Sequence, residues 1–91
     1  MRDKIRNLDY VMTLHAEEEM ENDALSIFDV ENGVLNGGII ERQKDAETGE
    51  WKYLIAGKTL GDADIAVVAK LSSTGKLVII TVFLEENEYE N

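Results

Sequence analysis

A chain of 91 residues without cysteine has the length of one domain, and it excludes a disulfide framework, a thiolate nucleophile and a thiolate metal site. Acidic residues outnumber basic ones 19 to 9, for a formal net charge of −10, which repels phosphate backbones and anionic membranes and suits a solubilised protein or one that meets a basic partner. An apolar content of 44% is enough for a packed core, and no apolar run approaches the ~20 residues that cross a membrane.

The opening run Met1-Arg2-Asp3-Lys4-Ile5-Arg6 is charged and lacks the apolar stretch of a secretory leader, so a cytoplasmic protein is expected. Residues 1–9 read as a short helix or a frayed arm. Thr13 then fits an N-cap, and the spacing predicts a helix over Leu14–Ala24, with Ala16, Met20 and Ala24 on one stripe. Glu17 and Glu18 sit near its start, where the helix dipole favours negative charge. Ser26-Ile27-Phe28-Asp29 has the form of a capping box. Ile27, Val30, Val34 and Leu35 follow at helical spacing, until Asn36-Gly37-Gly38 ends the helix, with glycine expected in the left-handed cap conformation.

From Gly38 the period becomes two. Strands are expected at Gly38–Lys44, Trp51–Lys58, Ile65–Leu71 and Leu77–Leu84, joined by turns at 45–50, 60–64 and 72–75. Short connections imply hairpins and an antiparallel meander. The last two strands are apolar on both sides: Leu77, Ile79 and Phe83 alternate with Val78, Ile80, Val82 and Leu84. Helices cover one face of such a sheet; the N-terminal arm, a second subunit or a partner must cover the other, and a second copy, giving a homodimer, is the expectation. Residues 85–91 form an acidic tail.

His15 is the one histidine. On a helix it lies within a turn of Glu18 and Glu19, a spacing that brings side chains together. A carboxylate beside an imidazole can poise a general acid or base. The competing reading is that His15 buttresses the helix and the glutamates are a solvated face. No second imidazole or thiolate completes a metal site, so neither metal nor cofactor is expected. Arg42, Lys44, Lys52 and Lys58 form one basic face for an anion or RNA if neighbouring registers cooperate. Their alternative role is to deter edge-to-edge aggregation, favoured because no aromatic residue clearly interleaves with the lysines to stack bases. Trp51 and Tyr53 read as packing residues. Phosphate-binding glycine loops, a nucleophile elbow and a calcium loop are not spelled out.

The ordered run Thr13-Leu14-His15-Ala16, Met20, Leu25-Ser26 and Asp29-Val30-Glu31 resembles a family of small bacterial domains with a pattern like T-x-H-A-x-x-R-M-x-x-R-x-I-S-x-x-D-V. Ile39-Ile40-Glu41, Tyr53–Lys58, Val67-Val68-Ala69 and Val78–Phe83 continue the likeness, which covers about Tyr10 to Leu84. That family looks like distant kin of the RelE, MqsR and BrnT toxins, compact α+β proteins of toxin–antitoxin pairs that cut messenger RNA, some beside a zinc-finger antitoxin. The resemblance implies two or three N-terminal helices packed on a small antiparallel β-meander of about four strands, in a single toxin-like domain over residues 1–91 with a core at 10–84. It leaves His15, Tyr53, Lys70 and Thr81 as catalytic candidates and a cognate antitoxin-like protein as partner. The departures are chemical. Glu19 and Asp23 stand where the pattern has arginines, and the stretch Asp62–Val68 lacks the arginine and histidine expected there; a tyrosine near the end is Phe83. A metal-independent ribonuclease needs cations at its phosphate, and acids there repel RNA. The expected function is therefore a non-catalytic interaction or regulatory module on the toxin scaffold. The alternative is an mRNA-cleaving ribonuclease toxin.

Overall fold

The computed structural model describes residues 10–72 and 75–85. In chain order these form β1 (Tyr10–Met12), α1 (Leu14–Asn22), α2 (Ile27–Asn36), β2 (Gly38–Lys44), β3 (Trp51–Lys58), β4 (Asp64–Leu71) and β5 (Leu77–Leu84). The expected third helix or arm at residues 1–9, part of the 72–75 turn and most of the acidic tail fall outside the described residues. The class is α+β, but the sheet differs from a four-stranded antiparallel meander. It has five strands in the order β1-β5-β4-β3-β2. β2 to β5 are antiparallel neighbours, whereas β1 runs parallel to β5, with Tyr10 opposite Leu77 and Met12 opposite Ile79. Three residues are too few to display a period of two, which is why pattern alone does not reveal β1.

α1 starts where Thr13 accepts the Ala16 N–H on its hydroxyl. It ends two residues before Ala24. The Leu25 N–H donates to the Met20 carbonyl at 2.8 Å and the Ala24 N–H to that of Glu21 at 3.2 Å. These are the paired bonds of a Schellman turn, and they place Ala24 at φ +53°, in the left-handed region. Ala24 is consequently exposed, and the buried stripe of α1 is Ala16 and Met20.

α2 carries the capping box its sequence predicts. The Asp29 N–H donates to Ser26 Oγ, and Asp29 Oδ2 accepts from the Ser26 N–H. Asp29 Oδ1 also accepts the Leu60 N–H from the β3–β4 connection at 3.0 Å. The Ser26 and Leu60 N–H groups hold the Asp29 carboxyl below its ordinary range. At the other end Gly37 is not left-handed: its φ of −93° and ψ of −168° are extended backbone. A side chain is excluded there for a different reason. A Cβ on Gly37 would stand 2.2 Å from the Ala56 carbonyl oxygen, and one on Gly57 2.2 Å from that of Gly33. α2 thus lies directly on the backbone of β3.

Both helices cover one face of the sheet, burying Ile55, Ile65, Val67, Ala69, Leu77, Ile79 and Val82 against Ala16, Met20, Val30 and Val34. β5 departs from simple alternation. Val68 pairs with Thr81 but Ala69 pairs with Ile79, leaving Ile80 as an extra residue. That bulge reverses the facing of the strand's end. Val82 enters the core, while Phe83, expected beside Leu77 and Ile79, lies opposite Ala66 on the other face. There Leu54, Val68, Val78 and Ile80 are half-buried and Val11 and Phe83 exposed.

Candidate functional site

His15 stands on α1 with 66% of its side chain exposed and its Nε2 3.2 Å from Glu19 Oε1. The same carboxylate oxygen accepts the backbone N–H of Val82 at 3.2 Å. β1 ends at Met12, so it cannot serve β5 beyond Ile79. From there the Thr13 N–H donates to the Ile79 carbonyl at 3.0 Å and the Thr13 hydroxyl to that of Ile80 at 2.9 Å. Glu19 takes the next free group. The expected His15–Glu19 pair is present, and its carboxylate has a second task as a seal on the edge of the sheet.

The other catalytic candidates are dispersed. Tyr53 faces the helices and packs against the core. Lys70 and Thr81 face the other way, opposite Lys52 and Val68, and the Lys70 ammonium donates to Glu50 at 3.2 Å. Tyr53 is therefore separated by the sheet from Lys70 and Thr81.

The register also divides the four basic candidates, so they do not make one face. Arg42 lies opposite Tyr53 and Lys44 opposite Trp51, on the helix-bearing side. Lys52 and Lys58 belong to the alternate residues of β3, on the open side. Lys52 approaches Asp45 at 4.0 Å and Lys58 pairs with Asp64. The Asp45 carboxyl is held below its ordinary range by the N–H groups of Glu47 and Thr48. The aromatic interleaving that the linear sequence conceals is supplied across the strands. Trp51 is half-exposed, with the Lys44 ammonium 5.9 Å from its ring centroid, within reach of a cation–π contact. Two cations thus alternate with two aromatic rings where every residue of β2 is exposed. Only the register of β2 on β3 could have found this.

One further polar pair joins the layers. The Tyr10 hydroxyl donates to Glu31 Oε2 at 2.6 Å, and burial, then this carboxylate, pushes the hydroxyl's pKa up to about 12. Among the described residues no three His, Cys, Asp or Glu side chains gather as a metal site, and no helix is long and apolar enough to cross a membrane.

Residues 12–84 match the family described as a domain of unknown function, DUF4258. The match takes in the two capped helices, four of the five strands and His15, so the chain belongs to that family. Neither the curated proteins nor the solved structures yield a match.

Proposed function

We propose that the protein is a non-catalytic interaction or regulatory module built on a RelE- or MqsR-like toxin scaffold and working in the cytoplasm. The observation that carries this reading is the position of Glu19. It stands where the resembling pattern has an arginine, and its carboxylate is engaged by the Val82 N–H and by His15. The carboxylate is part of the framework and would repel a phosphate at the place where cleavage needs a cation. Lys70 and Thr81 lie on the sheet face away from the helices, and Tyr53 stands on β3, two strands from the β5 on which α1 rests, so they do not gather with His15 for acid–base chemistry. On this reading the partners are a cognate antitoxin-like protein and a second copy packed on the open sheet face. Light scattering at micromolar concentration should give a dimer mass, and a monomer mass would remove the second copy.

The alternative, a metal-independent ribonuclease, is favoured by one feature, the alternation of Arg42 and Lys44 with Tyr53 and Trp51. Cations beside a half-exposed ring such as Trp51 suit phosphates and a stacked base. Purified protein incubated with a long single-stranded RNA separates the two readings. No cleavage above background is expected. Cleavage by the wild type that disappears in His15→Ala would restore the ribonuclease.

A further inference from the structure

Between Tyr10 and Glu41 the chain contains no lysine or arginine, while Glu17, Glu18, Glu19, Glu21, Asp23, Asp29 and Glu31 all lie there. Three of these acids have structural tasks: Glu19 holds the Val82 N–H, Asp29 closes the α2 cap and Glu31 takes the Tyr10 hydroxyl. Glu17 and Glu21 form no ion pair among the described residues. They lie one turn apart on α1 and line an open groove of about 380 Å³. Its other walls are apolar: Met12 from β1, Met20 from α1, and Leu25 and Ile27 from the junction of the helices. Leu14, 71% exposed, shares the helix face of Glu17 and Glu21 and extends the apolar surface past the rim.

We infer that this groove is a docking site for a cationic amphipathic segment of a partner protein. The inference deepens the interaction-module reading and rests on it. An apolar floor with two thioethers adapts to side chains of varied shape. A carboxylate rim with no ion pair among the described residues attracts lysine or arginine flanking an apolar stripe, and a net charge of −10 steers such a segment toward the molecule from a distance. Phosphate-bearing ligands are repelled by the same field.

The test uses the full chain with its three methionines labelled at the methyl carbon. A synthetic peptide of roughly 14 residues, with leucines at helical spacing among lysines, is titrated in. A peptide of identical composition in scrambled order serves as control. The striped peptide should shift the Met12 and Met20 methyl signals saturably, and the scrambled one should bind at least about tenfold more weakly because charge without a stripe leaves the floor unfilled. Glu17→Gln together with Glu21→Gln should weaken the striped peptide by about tenfold, whereas Glu47→Gln, in the distant β2–β3 turn, should leave it within about twofold. Equal binding of both peptides, unmoved Met12 and Met20 signals, or equal weakening by Glu47→Gln would overturn the assignment. So would proximity of Ile5 or Leu8 to the Met20 methyl in the free chain, which would show the groove filled by the chain's own residues. RNA cleavage with normal peptide binding would refute the non-catalytic reading and leave the groove standing. The converse result would do the reverse.

Discussion

α1 and α2 lie on the same face of one sheet and are attached to it in opposite ways. α2 rests on β3 through missing side chains: Gly37 and Gly57 bring the two backbones so close that a single Cβ at either would stand 2.2 Å from a carbonyl oxygen. α1 rests on β5 through added ones. The Thr13 hydroxyl and Glu19 carboxylate reach the main chain of β5 at Ile80 and Val82, and Ala16 and Met20 are buried in the core beside them. The first attachment is a steric constraint with little room to relax. The second is a set of polar contacts, each worth a modest amount but costly to leave half-made. The difference explains how an acidic helix surface is compatible with this fold. At the α1–β5 seam a carboxylate is structurally useful, because it accepts a hydrogen bond from an unpaired strand edge.

The largest effect should come from the steric seam. In Gly57→Ala the new methyl meets the backbone of Gly33, including its carbonyl carbon at 2.8 Å, and no flexible side chain can move aside. Separating α2 from β3 should cost about 3 kcal/mol or more. Urea denaturation followed by circular dichroism measures it. A loss below about 1 kcal/mol would mean that the seam yields as readily as an ordinary core contact.

The polar seam should respond less. Glu19→Ala strands the N–H of Val82, a residue with no exposed surface, and should cost about 2 kcal/mol. Glu19→Gln keeps an acceptor oxygen at the same reach and should recover most of that loss. If Ala and Gln variants are equally destabilised, the charge on Glu19 matters and the hydrogen bond does not.

The same contrast shows what could be read in advance. The caps at Thr13 and Ser26, the strands β2 to β5 and the turn at 45–50 follow from local chemistry, and each appears within a residue or two of its expected place. Long-range features were hidden. Parallel pairing of Tyr10–Met12 with Leu77–Ile79 has no local signature. The extra residue at Ile80 reverses Val82 and Phe83, and nothing in the run Val78–Leu84 marks where a bulge falls. Candidate residues suffered most from this. Strand alternation alone sets Lys52 and Lys58 on the face opposite Trp51 and Tyr53, but whether Arg42 and Lys44 join the rings or the lysines depends on a register that composition does not encode. Glu19 was legible as a neighbour of His15, whereas its bond to Val82, 63 residues away, was not.

The smallest expected effect reverses the usual rule for a helix. Glycine normally weakens a helical segment, yet Ala24→Gly should stabilise this protein. Ala24 follows the last turn of α1 at φ +53°, where a Cβ crowds the carbonyl beside it at a cost of roughly 1–2 kcal/mol. Glycine removes that crowding, while its greater freedom in the unfolded chain returns part of the gain, leaving about 0.5–1 kcal/mol. The side chain of Ala24 is exposed, so little packing is lost. The two bonds that close the turn, from Ala24 and Leu25 to Glu21 and Met20, are main-chain bonds and survive the change. Thermal denaturation should show a small rise in Tm. Any loss would show that Ala24 is not held in the left-handed conformation, and that α1 continues through it in solution as its apolar spacing suggests. A longer α1 would break the turn that places Leu25 and Ile27 beside Met20, leaving the steric seam of α2 to position the helices without it.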